Sequence, residues 1–173
     1  SPVFQEMLAA ITKIASYDAT VLISGETGSG KELAARAIHY QGKRSDKPFI
    51  PVNCGALPDH LIENELFGHC KGAYTDAREG QTGLIAQAEG GTLFLDEVDA
   101  LSPKAQVSLL RFLEDGKYRL LGGGRLESAD VRILAASNVS LQQLVDEDRF
   151  RADLHYRLNV MELAVPPLRV RGE

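Results

Sequence analysis

Missing from this chain is any run approaching the roughly 20 consecutive apolar residues needed to cross a bilayer, and so is any basic-then-apolar leader at the N-terminus. The expectation is a cytosolic protein with no membrane partner. Cysteine is scarce, with only Cys54 and Cys70. They lack metal-type spacing and have no His or Cys partner at ligand distance, so both read as reduced, unpaired thiols. His69 beside Cys70 makes no metal site, because sequence neighbours rarely converge on one ion and two further ligands are wanting. An excess of positive charge is absent too. The 19 Lys and Arg face 24 Asp and Glu, a formal net charge of −5, which argues against a broad nucleic-acid surface on this segment. No internal repeat or low-complexity stretch appears. At 173 residues, 44% hydrophobic and 25% charged, the chain reads as one well-filled soluble domain.

The most informative stretch is Gly25-Glu26-Thr27-Gly28-Ser29-Gly30-Lys31-Glu32. A glycine-rich string means little without a strand running in and a helix running out, and both are expected here. Val21 to Ser24 is a short apolar run suited to a buried parallel strand, and Lys31 to Tyr40 puts Leu33, Ala34, Ala37 and Ile38 on one helical face. In that setting Gly25, Gly28 and Gly30 are expected to take backbone angles closed to other residues, so that successive N–H groups surround an anion at the positive end of the new helix. Lys31 then reaches the β- and γ-phosphates of a nucleotide. Glu32 departs from the general pattern, which has Ser or Thr there as a magnesium ligand.

The rest of the chain alternates helix and strand. An amphipathic helix is predicted over 3–17, with Val3, Met7, Leu8, Ile11, Ile14 and Ala15 at helical spacing. After the phosphate loop and its helix come a strand over 48–52 ending at Asn53, and a helix over 57–67 with Leu61, Ile62, Leu66 and Phe67 as its apolar side. An inserted loop over about 68–83, where the apolar period fails, precedes a strand over 92–97 that ends in Asp96 and Glu97. A helix over 103–114, with Val107, Leu110, Phe112 and Leu113 inward, leads to a hairpin around Gly122 to Gly124. The strand over 131–138 ends at Asn138, helices follow over 141–146 and 150–158, and a last strand runs over 160–165. This grammar predicts an α/β fold with a five-stranded parallel sheet and helices on both faces. Ligands in such sheets bind beyond the carboxyl ends of the strands, so Gly25 to Lys31, Asp96-Glu97 and Asn138 are expected to share one crevice.

The chemistry available there is phosphoryl transfer. Asp96 stands where a P-loop NTPase holds Mg2+, and Glu97 can orient the attacking water. Rate then depends on positioning and on positive charge near the γ-phosphate. Arg149, Arg151 and Arg157 are downstream cations; on one helix Arg151 and Arg157 would lie about 120° apart. A kinase or metabolic P-loop enzyme is disfavoured for want of a second substrate pocket.

The strings GETGSGKE, ELFGHCKGAYTDA, GGTLFLDEVD, AASN and FRADLHYRLNV, in this order, resemble the central AAA+ ATPase domain of bacterial sigma-54-dependent enhancer-binding activators, the NtrC-type family. The resemblance covers nearly the whole chain, so 1–173 is expected to be the AAA+ α/β core. It implies ATP and Mg2+ as ligands, with Gly25 to Glu32 as the nucleotide loop, and Glu32 is usual there. Asp96 and Glu97 would be the Walker B pair, with Asp96 the metal ligand. Asn53 would be the switch residue that bonds the Walker B glutamate, and Asn138 the γ-phosphate sensor. Arg151 and Arg157 match the arginine fingers that reach a neighbour's site in a ring hexamer. The resemblance also implies that the short upstream segment lining the adenine pocket and the helical lid are absent from this chain. Weak nucleotide binding, little hydrolysis and monomeric behaviour are therefore expected of the segment alone. Signal input and DNA binding would reside in flanking domains.

The inserted loop holds the largest departure. The family's sigma-54 contact is a GAFTGA string, whereas this chain reads Gly72-Ala73-Tyr74-Thr75-Asp76-Ala77. Tyr74 keeps the aromatic ring, but Asp76 adds a side chain and a negative charge where the family has glycine. Two functions follow: an ATPase that remodels sigma-54 RNA polymerase, or an ATP-binding scaffold of a transcription regulator that acts through another polymerase form.

Overall fold

The computed structural model describes residues 1–72 and 80–171. In chain order it runs α1 (Pro2–Ala15), β1 (Val21–Ser24), α2 (Lys31–Gln41), β2 (Phe49–Asn53), α3 (Asp59–Phe67), β3 (Gly68–His69), β4 (Gln81–Thr82), α4 (Leu84–Gln87) and β5 (Thr92–Asp96). A 3-10 turn over Val98–Ala100 leads to α5 (Pro103–Asp115), β6 (Lys117–Arg119), β7 (Leu126–Ser128), β8 (Arg132–Ser137), α6 (Leu141–Asp146), α7 (Ala152–Leu158), β9 (Met161–Ala164) and α8 (Leu168–Arg171). Five strands form one sheet in the order β2-β5-β8-β1-β9, and every pairing is parallel. The predicted α/β architecture is therefore the one observed.

Alternation along the strands sends side chains into two cores, because successive residues of a strand point to opposite faces. Leu93, Leu95, Ile133 and Ala135 join Leu109, Phe112, Leu154 and Leu158 on one side of the sheet. Phe94, Leu134, Ala136, Val21 and Ile23 join Met7, Ile11, Ala35 and Ile38 on the other. The central strands are thus apolar through their middles, Leu93 to Leu95 in β5 and Ile133 to Ala136 in β8, as a sheet covered on both faces requires.

Several inward assignments are corrected. Leu33 is 73% exposed, whereas Ala34 and Ile38 are buried as expected and are joined by Ala35 and His39. Val3, Leu8 and Leu61 lie on exposed faces, and α5 buries Ala105, Gln106 and Leu109 rather than Val107. Apolar periodicity marks a helix face but not its rotation to within a residue. The expected loop over 68–83 is pinched at its base, where β3 and β4 pair antiparallel as Gly68↔Thr82 and His69↔Gln81, and α4 follows directly. Of the Gly72-to-Ala77 string, only Gly72 falls among the described residues.

His39 is buried under the sheet edge, where it ties α2 to the chain preceding and opening two strands. Its Nε2–H donates to the Lys47 carbonyl at 3.0 Å, which leaves Nδ1 to accept from the Thr92 hydroxyl at 2.7 Å. This neutral tautomer is held by burial, which pushes the imidazole below its ordinary value against the opposing effect of the Lys47 carbonyl, with Arg132 and Arg44 adding to the depression. The unfolded chain therefore binds the extra proton first. Stability from this group is complete above about pH 6.5 and is lost as pH falls through the depressed folded value. Thermal melts of a His39→Gln variant should show a destabilisation relative to the parent that narrows from pH 7.5 to pH 5; a pH-independent gap would contradict the assignment.

Candidate functional site

Strand β1 ends at Ser24, and the chain enters a loop that closes at Gly30, the N-cap of α2. Gly28 and Gly30 have φ of +78° and +90°, the left-handed region that glycine enters without strain. Gly25 does not share that conformation, which corrects the expectation for it. It is needed for space, because a Cβ there would approach the Val165 carbonyl to 2.8 Å. The loop is therefore packed against the end of β9, whose Val165 N–H in turn donates to the Ser24 carbonyl at 2.8 Å.

Lys31 is 6% exposed. Its Nζ donates to the carbonyls of Gly25 and Glu26, both at 2.9 Å, so the ammonium is drawn back over the loop it would present to a phosphate. Burial pushes this amine below the usual lysine range, while Asp96, Glu97 and Asp99 pull it up. Glu32 points away, pairing with Arg36 one turn along α2 at 3.4 Å. Thr27 is exposed and Ser29 buried. Glu26 forms a two-bond pair with Arg169 of α8 at 2.8 and 3.1 Å, a contact across 143 positions that sequence spacing does not announce.

Adjacent strand ends bring the acidic and amide groups together. Asn53 and Asp96 are register partners on β2 and β5. Asp96 is half-buried, and desolvation pushes its carboxyl up, offset by the Glu97 N–H it accepts and by Lys31. Glu97 is a non-glycine residue in the left-handed region, φ 51° and ψ 47°, a conformation costing about 1–2 kcal/mol. That turn throws its carboxylate toward β2, where Asn53 Nδ2 donates to Oε1 at 3.4 Å. Asn53 is itself aimed: its Oδ1 accepts from the Gly55 N–H at 2.8 Å, which leaves the amide nitrogen facing Glu97. Gly55 leaves room for that carboxylate, since a Cβ there would meet Glu97 Oε2 and push this mobile end of the side chain from its place. Sequence reading missed Gly55, and the two-residue spacing after Asn53, typical of a side chain bonding its own following backbone, is the signal that could have found it.

Strand β8 pairs Ser137 with Ser24, so Asn138 emerges beside the start of the phosphate loop, half-buried. Ser137 Oγ donates to Asp99 Oδ1 at 3.1 Å, linking this strand end to the acidic turn after β5. Lys31, Asp96, Glu97, Asn53 and Asn138 thus gather at the carboxyl ends of the parallel strands. Arg151 and Arg157 do not join them. Arg151 is the N-cap of α7, with extended backbone, so the helical angle between the two arginines does not apply. Its guanidinium pairs with Asp153 through two bonds of 3.0 Å, and Arg157 is exposed.

The site fits a magnesium nucleotide. Two left-handed glycines, a buried lysine at a helix start and a hard carboxylate oxygen on Asp96 form the donor set that phosphate and a small divalent cation require. Among the described residues no cluster of three or more His, Cys, Asp or Glu could hold a metal. That is compatible with Mg2+, which takes one or two carboxylates and otherwise phosphate and water. Cys54, buried beside Asp96, has its thiol pushed up to about 12 by burial and by the surrounding carboxylates; it is a packing residue.

Comparison with known proteins agrees with the fold. The sequence profile of the Sigma-54 interaction domain matches residues 1–164. The response regulator protein PilR of Pseudomonas aeruginosa is 53% identical over 173 residues, covering 100% of this chain and 39% of that protein. The structure of NtrX from Brucella abortus in complex with ATP superimposes with a TM-score of 0.91 at 34% identity, covering 99% of this chain and 37% of NtrX. The P-loop NTPase domain of an E. coli sigma-54 transport activator shares the fold alone, with a TM-score of 0.67 and 21% identity over 97% of each chain. This chain spans about a third of the length of the curated relatives it matches.

Proposed function

The chain belongs to the Sigma-54 interaction domain family, the AAA+ modules of bacterial transcriptional regulators, and from that premise we propose that it hydrolyses ATP to remodel sigma-54 RNA polymerase and activate transcription. The observation that carries the reading is the Asn53–Glu97 contact set beside Lys31 and Asp96. A carboxylate forced into a left-handed turn and held by an amide from the adjacent strand is poised to respond to a nucleotide. A strand end without catalytic work has no need of that strain.

In this reading the Gly25–Gly30 backbone cradles the phosphates, and Lys31 leaves the two loop carbonyls for the β- and γ-phosphates. Asp96 holds Mg2+, which supplies charge neutralisation on the phosphate oxygens. Glu97 orients and polarises the attacking water, and Asn138 with Ser137 reports the γ-phosphate to the turn that contains Asp99. Arg151 and Arg157 act on the neighbouring subunit's nucleotide within a ring hexamer. Asn53 is the switch: when a nucleotide draws Glu97 to the water, Asn53 Nδ2 loses its partner, and β2 carries that change toward α3 and the loop beginning at Gly68. That loop, with Gly72 and Ala73 to Ala77, is the surface offered to sigma-54; Mg-ATP and the hexamer are its operating requirements, and DNA is bound by a domain outside this chain.

The test separates hydrolysis from its use. An Asn53→Ala variant of the full-length protein should keep ATP turnover within about tenfold of the parent, because Glu97 and its strained turn remain, yet lose most open-complex formation on a sigma-54 promoter. Parallel loss of both, or retention of both, would contradict the switch assignment. Asp76 supports one competing reading, an ATP-binding scaffold acting through another polymerase form, since its negative charge replaces a glycine in the contact string.

A further inference from the structure

Gln106 lies on the inner face of α5, only 2% exposed, in the seam where Phe150, Leu154 and Leu158 join the same core as Leu109 and Leu110. A buried side-chain amide needs partners for both ends, and Gln106 finds them in two segments that the catalytic reading treats separately. Its Nε2 donates to the Leu101 carbonyl at 3.0 Å. Leu101 closes the 3-10 turn that follows Asp96 and Glu97, its own N–H bonded to the Val98 carbonyl at 3.2 Å. Its Oε1 accepts from the Arg151 backbone N–H at 3.0 Å. Arg151 is extended at the N-cap of α7, so its own N–H stands outside the helix's ladder, while its carbonyl already receives His155 N–H at 3.0 Å.

The apolar seam fixes how far α7 sits from α5, but dispersion contacts are non-directional and tolerate sliding along it. The Gln106 amide supplies a directional contact at the very residue from which the guanidinium is projected. The side chain of Arg151 is free to leave Asp153, since that pair is exposed on both sides and screened by water. Its root is not free, being bonded to Gln106.

We propose that Gln106 is a positioning residue that sets where Arg151 is presented, tying the turn behind one subunit's acidic pair to the cation that the same subunit offers its neighbour. This rests on the reading of Arg151 as an arginine acting in trans. A displacement of about 1 Å in such a group lowers turnover by as much as 100-fold.

The test uses the full-length protein with Gln106→Met, similar in shape but unable to make either bond, and Gln106→Glu, whose carboxyl retains the acceptor for Arg151 N–H. The Met variant is expected to lose about 10- to 100-fold in kcat for ATP while KM stays within about threefold, and the Glu variant to recover most of the loss. Mixed oligomers assign the side of action. Lys31→Ala subunits, lacking a working phosphate loop but carrying an intact Arg151, should restore turnover when mixed with Gln106→Met or with Arg151→Ala. Gln106→Met mixed with Arg151→Ala should turn over no faster than Gln106→Met alone, since neither subunit then supplies a correctly placed cation. Recovery in that last mixture, or a Met variant within twofold of the parent, would overturn the role of Gln106 alone. No recovery from Lys31→Ala with Arg151→Ala would overturn the trans arginine and this proposal with it. Should the Met variant fail to fold, the Glu variant decides: turnover within about threefold supports the acceptor role, and a loss beyond tenfold overturns it.

Discussion

Alanine at Arg151 is expected to lower ATP turnover by the full-length protein by about 10³- to 10⁵-fold, the range an arginine supplied to a phosphoryl-transfer site contributes. The effect should fall on kcat, because the cation meets charge that develops only as the γ-phosphoryl departs. Within one subunit Arg151 is far from idle, its guanidinium gripping Asp153 through two 3.0 Å bonds. That grip holds Asp153 below the usual carboxylate range, but both groups face water, where such pairs contribute little and yield to a better partner. Arg151 should therefore leave Asp153 when a neighbour's nucleotide is presented. Lysine at 151 keeps the charge but not the planar fork, and should recover only a minor part of the loss. A rate within tenfold of the parent for Arg151→Ala, measured under saturating Mg-ATP at a protein concentration that assembles the ring, would remove this residue from the catalytic account.

Glutamine at Glu97 is expected to cut hydrolysis by about 10²- to 10⁴-fold while leaving nucleotide affinity nearly unchanged. Glutamine keeps an oxygen for Asn53 Nδ2 and the same backbone, so the substitution isolates the one property it removes, a charged oxygen able to polarise and deprotonate water. The fold should tolerate it, since Glu97 is half-exposed at a turn and its strain comes from the backbone. Single-turnover hydrolysis beside a fluorescent-nucleotide titration separates the two quantities. Loss of binding together with hydrolysis would mean that Glu97 shapes the pocket instead of the reaction.

Much of this site was legible from local chemistry. The loop over 25–32, the apolar strands ending in Asp96-Glu97 and Asn138, and the polar end of β2 at Asn53 all follow from runs of a few residues flanked by elements of clear period. The parallel order then follows from alternation of strand and helix, and it brings those ends to one edge. What escaped reading depends on long-range placement. Gly25 reads like Gly28 and Gly30 as a left-handed residue, yet its constraint comes from Val165, 140 positions away in the chain and packed against it only after β9 joins the sheet. Leu33 looked inward because its hydropathy fits the period, but α2 rolls so that Ala35 and His39 meet the sheet instead. Spacing puts Arg151 and Arg157 on one helix, whereas the chain turns through the left-handed Asp148, φ 57°, buries Phe150 and starts α7 only after Arg151. Gln106 carried no signal at all: an amide on an amphipathic helix reads as surface until the partner that needs it is in place.

The central claim, that ATP is spent on sigma-54 polymerase, turns on the loop that β3 and β4 pinch at its base, where Asp76 replaces the family's glycine. On the proposed reading Asp76 introduces charge into the string offered to sigma-54, so Asp76→Gly should leave ATP turnover within about twofold and raise the coupling of that turnover to transcription. The most direct measurement is open-complex formation in vitro on a sigma-54 promoter, with the full-length protein, Mg-ATP and sigma-54 RNA polymerase, for the parent and Asp76→Gly side by side. Open complexes dependent on ATP hydrolysis with either form, and more abundant with glycine at 76, are the expected result. Hydrolysis of ATP with no open complex from either form would contradict it.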